Sequence, residues 1–489
     1  MKWNKLFVCI LAFAVMGGLY GCDSENEHDS SCKFNVDCSY LYAKENVGYA
    51  FCDESTLTCQ FECQAGYYHN EANECLPLTE DMIFSEPNCD LNDSQCTNPC
   101  KEGYVFDESY YHYTNKYATQ CVHEQCSIGI VLQEINEVEE FSGICAKSIS
   151  IVPSVEPELT EIKFPNLKYV IQDFDISDTQ KLELIDAPNL KSVSRLRMKN
   201  AHQLTVLTLP SLVETDSIEI ENAPQLLELN FPLLETTSYL TIQKAPLFKK
   251  FEFEKFKNAP ETEFSIKETG VTEISMPNLE TAFLIEIHNN PDLQAIHLPK
   301  LQKLTDDDNG TMKRRGMEIY TNSNLTDINI PELNTATQLL FEENNTLSKL
   351  ELPALQKVQL IHIEDSNSNF EEVSINKLKS VETLDIHLSG ITSAKISFDA
   401  LETSTQISLG GSIIHEMSFS KLTSAHEFSM ANTYLTKIDI PFLKQVTETL
   451  SITGNEKLKE IHMPVLESVG SLIFENNPEV TVKDWKIEE

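Results

Sequence analysis

The sequence predicts a mainly β protein: a parallel β-helix, or solenoid, of about fourteen coils behind a small disulfide-rich region. Three observations predict it. A motif returns about every 22 residues. Two short segments of each copy alternate apolar and polar residues. All 14 cysteines lie in the first 145 of 489 residues, before the repeats begin.

The repeat is plainest at Leu204–Ile220, L-T-V-L-T-L-P-S-L-V-E-T-D-S-I-E-I, and in the copy from Leu226, L-L-E-L-N-F-P-L-L-E-T-T-S-Y-L-T-I. Pro165, Pro188, Pro210, Pro232, Pro277, Pro299, Pro331, Pro353, Pro441 and Pro464 mark successive copies. Phe251–Phe256, Val373–Leu378, Ile396–Leu401 and Met417–Leu422 keep the phase without the proline. The long gap between Pro299 and Pro331 holds an inserted loop, Thr305–Arg315.

In the first segment of each copy, apolar pairs such as Ile162/Phe164, Leu207/Leu209, Ile274/Met276 and Ile438/Ile440 flank one residue. That residue is Lys163, Asp186, Thr208, Asn230, Glu252, Ser275, His297, Asn329, Glu351, Ser374, Ser397, Ser418, Asp439 or His462, and none is apolar. The second segment behaves likewise, as in Ile218-Glu219-Ile220 and Ile361-His362-Ile363. Side chains of a strand point alternately to opposite faces, so each segment reads as a strand with one buried and one wet face. One coil cannot bury its apolar row alone. Coils stacked about 4.8 Å apart can, in a rod roughly 65 Å long. Proline closes the first strand at a corner, where a ladder donor is dispensable. Polar turns such as Asn289-Asn290-Pro291 and Asn476-Asn477-Pro478 follow the second strand.

The unit L-x-x-I-x-F-P-x-L-x-x-V-x-x-x-L-x-I-x-N resembles the receptor L-domain repeat of growth-factor-receptor ectodomains and fungal wall proteins. The resemblance covers about two thirds of the chain and implies a right-handed parallel β-helix. A leucine-rich-repeat horseshoe is the competing fold. It carries one strand per repeat, and the second alternating strand argues against it.

Residues 1–21 read as an export signal, with Lys2 and Lys5 before the apolar run Leu6–Met16, too short to span a bilayer comfortably. The signal ends Leu19-Tyr20-Gly21-Cys22, which resembles a bacterial lipobox and implies lipidation of Cys22. Residues 22–31 would then be an acidic tether. Several acyl chains anchor stably where one does not. The expected address is the bacterial cell envelope or outer surface, with membrane contact through the lipid only.

Residues 32–145 hold Cys32, Cys38, Cys52, Cys59, Cys63, Cys75, Cys89, Cys96, Cys100, Cys121, Cys126 and Cys145. An even count in an exported segment reads as disulfides. Cys52-x6-Cys59-x3-Cys63-x2-Gly66-Tyr67 echoes Cys89-x6-Cys96-x3-Cys100-x2-Gly103-Tyr104, which predicts two tandem modules. They are loosely similar to EGF-like or receptor cysteine-rich modules, without EGF spacing. Zinc at Cys59/Cys63 or Cys96/Cys100 conflicts with an oxidising compartment and with the histidine spacing. The tyrosines Tyr110, Tyr111, Tyr113 and Tyr117 read first as packing for a module with little core. Residues 146–158 read as a linker, and 159–489 as the repeats. The cysteine-rich block is expected to shield the first coil, and Trp485 with the charged tail after it to close the last.

The formal net charge is −39, from 37 basic and 76 acidic residues, which excludes nucleic acid as a partner. No G-x-S-x-G, H-E-x-x-H or glycine-rich phosphate loop is present. Arg195 and Arg197 flank Leu196 and read as surface residues. His297 and His362 read as solvated, and the repeat histidines share no evident partner pattern. No cofactor is expected. One metal candidate stands out: Glu286 and Glu318 occupy the same outward position on successive coils, with Asp306 and Asp308 between them in sequence. Together these would suit a hard cation such as Ca²⁺. The plainer reading is a solvated acidic loop balanced by Lys313, Arg314 and Arg315.

The expected function is a non-catalytic surface module that binds or adheres to an extracellular protein or glycan. A carbohydrate-active β-helix enzyme would need an acid/base pair in one groove, and a purely structural envelope protein is the remaining alternative.

Overall fold

The computed structural model describes residues 35–44, 47–53, 55–64, 66–70, 72–85, 100–101, 104–106, 121–127, 129–132, 143–151, 160–257, 263–304 and 316–482. The chain divides into two compact units, Met1–Gln64 and Ala65–Glu489. In the first, a 3-10 helix, Asn35–Ala43, accompanies an antiparallel hairpin of Val47–Asp53 and Thr58–Cys63. The Cys38–Cys59 disulfide ties helix to hairpin.

The second unit is dominated by a parallel β-solenoid. Its long sheet runs strand upon strand from Tyr169–Asp175 to Ser468–Glu475, fourteen second strands in all among the described residues. The first strands stack beside it in three blocks: Glu161–Lys163 to Asp327–Asn329, Lys349–Glu351 to Ile414–Ser418, and Lys437–Asp439 to Thr481–Val482. A small third side forms where Thr281–Ala282, Lys303–Leu304 and Thr335–Ala336 pair.

The corners follow from the sequence. At the motif Phe-Pro-Asn-Leu the Leu167 amide donates to the Phe164 carbonyl, and the same bond recurs from Leu212 to Leu209 and from Leu466 to Met463. Each proline is thus the second residue of a β-turn, where its fixed φ is already correct. The copies without proline close alike, from Leu401 to Phe398 and from Leu422 to Phe419. After the second strand the chain bends through a left-handed residue in most coils, such as Asp178, Asn200, Asn222, Asn289, Asn432 and Asn476. After glycine, Asn and Asp tolerate that conformation best. A second turn follows, as Leu293 donates to Asn290 and Leu226 to Ala223.

The head of that second turn points inward and is filled in two ways. Ala201, Ala223 and Ala245 fill it with a methyl group, fully buried. Asn290, Asn322 and Asn344 fill it with an amide ladder. The Asn290 amide N–H and Nδ2 donate to Asn322 Oδ1 at 3.1 and 3.2 Å, and those of Asn322 donate to Asn344 Oδ1 at 3.2 and 3.3 Å. Each Nδ2 also reaches a carbonyl one coil back, as Asn322 does to Ile287 at 2.9 Å. Asn455 and Asn477 repeat the device near the far end. A buried amide is stable only with such partners.

The inward rows form one continuous core from Ala146 to Leu466. Burial of these rows is the main stabilising term, since every coil removes its neighbours' apolar faces from water. The rule fails at the last second strand. There Leu472, which pairs with the fully buried Leu450, is 41% exposed, because no described strand covers it.

At the opposite end the cysteine-rich segment covers the first coil, as the sequence predicted. Ile130–Leu132 pairs with Ile149–Ile151, which itself pairs with the strand Tyr169–Asp175. Cys145–Ala146 pairs with Tyr169–Val170. The first part of the predicted linker therefore lies in the sheet, at Ala146 and Ile149–Ile151, while residues 152–159 lie outside the described residues. Leu78, Ile83, Val122, Cys126 and Cys145 pack on Tyr169 and Ile171 as a satellite core. The disulfides Cys100–Cys121 and Cys126–Cys145 hold this segment together. Cys52, Cys63 and Cys75 are disulfide-bonded too. Cys59 and Cys63 therefore offer no thiolate to zinc. Cys22, Cys32, Cys89 and Cys96, the signal and tether, the tyrosines at 110–117 and Trp485 lie outside the described residues.

Candidate functional site

The long sheet has more strands than any other in the described residues, and its outer face is the candidate surface. Register fixes which side chains meet on it. A central outward row runs Asp175, Arg197, Glu219, Thr241, Ser265, Glu286, Glu318, Leu340, His362, Asp385 and Ser408. A flanking row runs Lys199, Glu221, Gln243, Lys267, His288, Tyr320, Glu342, Glu364 and His387.

Near the first coils the face is a ladder of ion pairs. Arg195 Nε lies 2.7 Å from Asp173, and Arg197 lies 3.5 Å from Asp175 and 3.3 Å from Glu219. Lys199 and Lys244 continue to Glu221 at 3.6 and 3.5 Å. Burial works against the Arg197 charge, but Glu219 beside it outweighs that and raises its pKa. Both arginines are surface residues astride buried Leu196, as the sequence predicted.

The middle of the face is different. Glu286 and Glu318 are direct register partners, as predicted, but they are only 4% and 6% exposed on what should be a wet surface. Burial alone would raise the Glu286 pKa. Lys267 at 2.7 Å and the Ser265 hydroxyl at 3.1 Å overcome it and hold the carboxyl below its usual range. Glu318 Oε1 accepts from Gln338 Nε2 at 2.8 Å. Glu263 on the neighbouring row is pushed up by burial and then by the Glu286 charge. Lys267 thus places a positive charge beside Glu286. Asp306 and Asp308 lie outside the described residues. Beside this patch the His288 and Tyr320 rings stack at 4.3 Å.

A third group was missed in the sequence. His362 and His387 share one carboxylate: His362 Nδ1 and His387 Nε2 each lie 2.9 Å from Asp385, on different oxygens. His362 Nε2 faces Glu364 at 3.5 Å and Glu342 at 3.7 Å. The hydrogen bond to Asp385 raises the pKa of both imidazoles against burial. Burial raises Asp385, but the bonds from His362 and His387 win and hold it well below the carboxylate range. Ser408 Oγ also lies 3.0 Å from His387 Nε2, the same nitrogen that Asp385 engages. A serine relay needs carboxylate and hydroxyl on opposite ring nitrogens, so these residues do not form one. His297, read as solvated, sits between Glu273 at 3.8 Å and Asp327 at 3.7 Å on the first-strand face.

The disulfides point to a non-cytoplasmic environment. No described helix is long and apolar enough to cross a membrane. No protein-family model matches the chain, and no curated protein matches it. Among solved structures, YopM from Yersinia enterocolitica WA-314 is similar at 13% identity over 67% of this chain and 92% of that one, with a TM-score of 0.13. That likeness is too slight to carry an argument, and the fold rests on the strand register.

Proposed function

We propose that the protein is an exported, lipid-anchored, non-catalytic module that binds or adheres to an extracellular protein or glycan through the outer face of its long sheet. The carrying observation is the register of that face. The second strands present rows of mainly polar side chains, with neighbours holding many of them, from the Arg195–Asp173 pair to the His362–Asp385–His387 group. Preorganised side chains lose little freedom on binding, which favours recognition over a broad, shallow surface. The resemblance to receptor L domains supports the same reading. The signal, the lipobox-like Gly21-Cys22 and the disulfides support an address in the bacterial envelope.

The test is a screen of the purified exported chain against glycans and cell-surface proteins, followed by substitutions on each face. Arg197→Glu and Tyr320→Ala should weaken any interaction found, while Lys163→Ala and Glu351→Ala on the first-strand face should not. Binding indifferent to the first pair moves the site elsewhere, and turnover of a polysaccharide ends the non-catalytic reading. For the anchor, Cys22→Ala should abolish incorporation of labelled fatty acid and release the protein from the membrane fraction.

A further inference from the structure

We infer that His362, Asp385 and His387 form a binding site for a borderline divalent transition-metal ion such as Zn²⁺, backed by Glu364 and Glu342. The observation is their placement. His362 and Glu364 lie on one strand, Asp385 and His387 on the next, and register pairs His362 with Asp385 and Glu364 with His387. The block alternates imidazole and carboxylate in both directions. Glu342 extends it one strand back, beside Glu364.

Imidazole nitrogen with carboxylate oxygen is a donor set that such ions favour. Two contacts come close to a suitable spacing. Each ring nitrogen lies 2.9 Å from an Asp385 oxygen, and neighbouring donors on one tetrahedral ion, with bonds of about 2.0–2.2 Å, stand about 3.3–3.6 Å apart, so each pair opens by about half an ångström on binding. In the structure the carboxylate lies between the two ring nitrogens that it engages. Binding requires His387, 43% exposed, to swing its nitrogen toward that of His362. His362, 19% exposed and pinned by the sheet, stays as the fixed ligand. The ion displaces the protons that now bridge imidazole and carboxylate, so no other reactant is needed.

Charge favours the exchange. With both imidazoles neutral, Asp385, Glu342 and Glu364 leave three negative charges around the site, on a chain of net charge −39. The groups facing the two imidazoles from the adjoining strands are these three carboxylates and the Ser408 hydroxyl. None is a cation that would oppose the ion, as Lys267 does at Glu286. The inference does not depend on the proposed ligand of the face, because it concerns the ion alone.

The experiment is titration of the untagged, fully oxidised chain with Zn²⁺ by calorimetry at pH 7.5. Wild type, His362→Gln, His387→Gln and Asp385→Asn are compared with His297→Gln and His462→Gln as controls. Circular dichroism checks that each variant is folded. The expected result is one ion per chain, with at least ten-fold weaker binding in each of the three site variants and no change in the controls. Binding should also weaken at pH 5.5, where protons compete for the same nitrogens. Absence of Zn²⁺ binding by the wild-type chain overturns the inference and leaves an ion-pair network. Binding that survives all three site substitutions overturns it equally. If a site variant is misfolded, protection of His362 and His387 by Zn²⁺ from diethyl pyrocarbonate in the wild-type chain decides. Modification at the same rate with and without the ion counts against the site.

Discussion

The Tyr169 hydroxyl donates to Glu80 at 2.9 Å across 89 residues of sequence. Glu80 also accepts from Lys168 at 2.8 Å and from Lys191, so one carboxylate joins the cysteine-rich segment to the first two coils. Bonds from Lys168 and then Lys191 bring its pKa down to about 2. A depressed carboxyl stabilises the folded state above its unfolded pKa, and that contribution fades as pH falls toward the folded value. Glu80→Gln should therefore lower the melting temperature at pH 7 and narrow the gap from wild type as pH drops from about 4.5 to about 2. The group is partly exposed, so solvent screening limits the loss to about 1 kcal/mol. Thermal unfolding across that pH range reads it, and a gap independent of pH would refute the clamp.

The amide ladder predicts a cost out of proportion to one side chain. Asn322→Ala removes the interior acceptor of the Asn290 backbone N–H and of one Asn290 Nδ2 hydrogen, together with the bond to the Ile287 carbonyl. The expected loss is about 2–4 kcal/mol, since each buried polar group left unpaired costs about 1–3. Asn324→Ala removes an exposed bond to the Pro291 carbonyl and should cost under about 1 kcal/mol. Denaturant titration of both variants tests the contrast, and equal losses would count against the ladder.

Phe251 is buried where several rings meet, with Phe253 at 4.7 Å and Phe248 at 6.4 Å between centroids. Phe251→Ala should cost about 3–5 kcal/mol through the cavity it leaves. Contacts reach only adjacent coils, so hydrogen exchange should rise around residues 229–274 and stay unchanged beyond about residue 400. Uniform loss of protection would show that the array unfolds as one unit.

Gly316 has φ +124°, and a Cβ placed there would lie 2.0 Å from the Gln338 carbonyl oxygen. Gly316→Ala must strain the strand that carries Glu318 and Tyr320. A loss of at least about 2 kcal/mol is expected in unfolding experiments. A neutral result would mean that the chain leaves Leu304 and returns at Met317 by another path.

Cys126 and Cys145, 19 residues apart, close a loop beside the strand that starts the stack. Replacing both by serine should destabilise by about 2–4 kcal/mol. Proteolysis should then begin upstream of residue 151, before the repeats. Cleavage starting inside the repeats would place the weak point elsewhere.

Much of the solenoid was legible because its signal is repeated. Alternation fixed both strands, and Pro165 and its counterparts marked a turn whose hydrogen bond the structure supplies. The asparagine-rich bends were visible where Asn289 or Asn476 takes the left-handed position. They were not visible at Lys244, Glu268 or Glu343, which adopt the same conformation with no favouring side chain. There the stacked neighbours impose the bend, and composition carries no trace of it. The site was harder to read. Alternation placed Glu286 and Glu318 outward but said nothing of their burial or of the Lys267 and Gln338 contacts they make. His362 and His387 stand 25 residues apart in sequence. Only coil-to-coil alignment, which sets His362 against Asp385, brings them to one carboxylate.

The amide ladder joins each asparagine to its counterpart one turn on. The usual step is 22 residues, as from Asn200 to Asn222, yet Asn290 meets Asn322 across 32 with the same geometry. The segment between Leu304 and Gly316 therefore enlarges one lap without disturbing the register of the next. Length is a free parameter of this architecture: whole laps can be gained or lost, and single laps can carry passengers, while a strand shifted by one residue would turn its oily side to water.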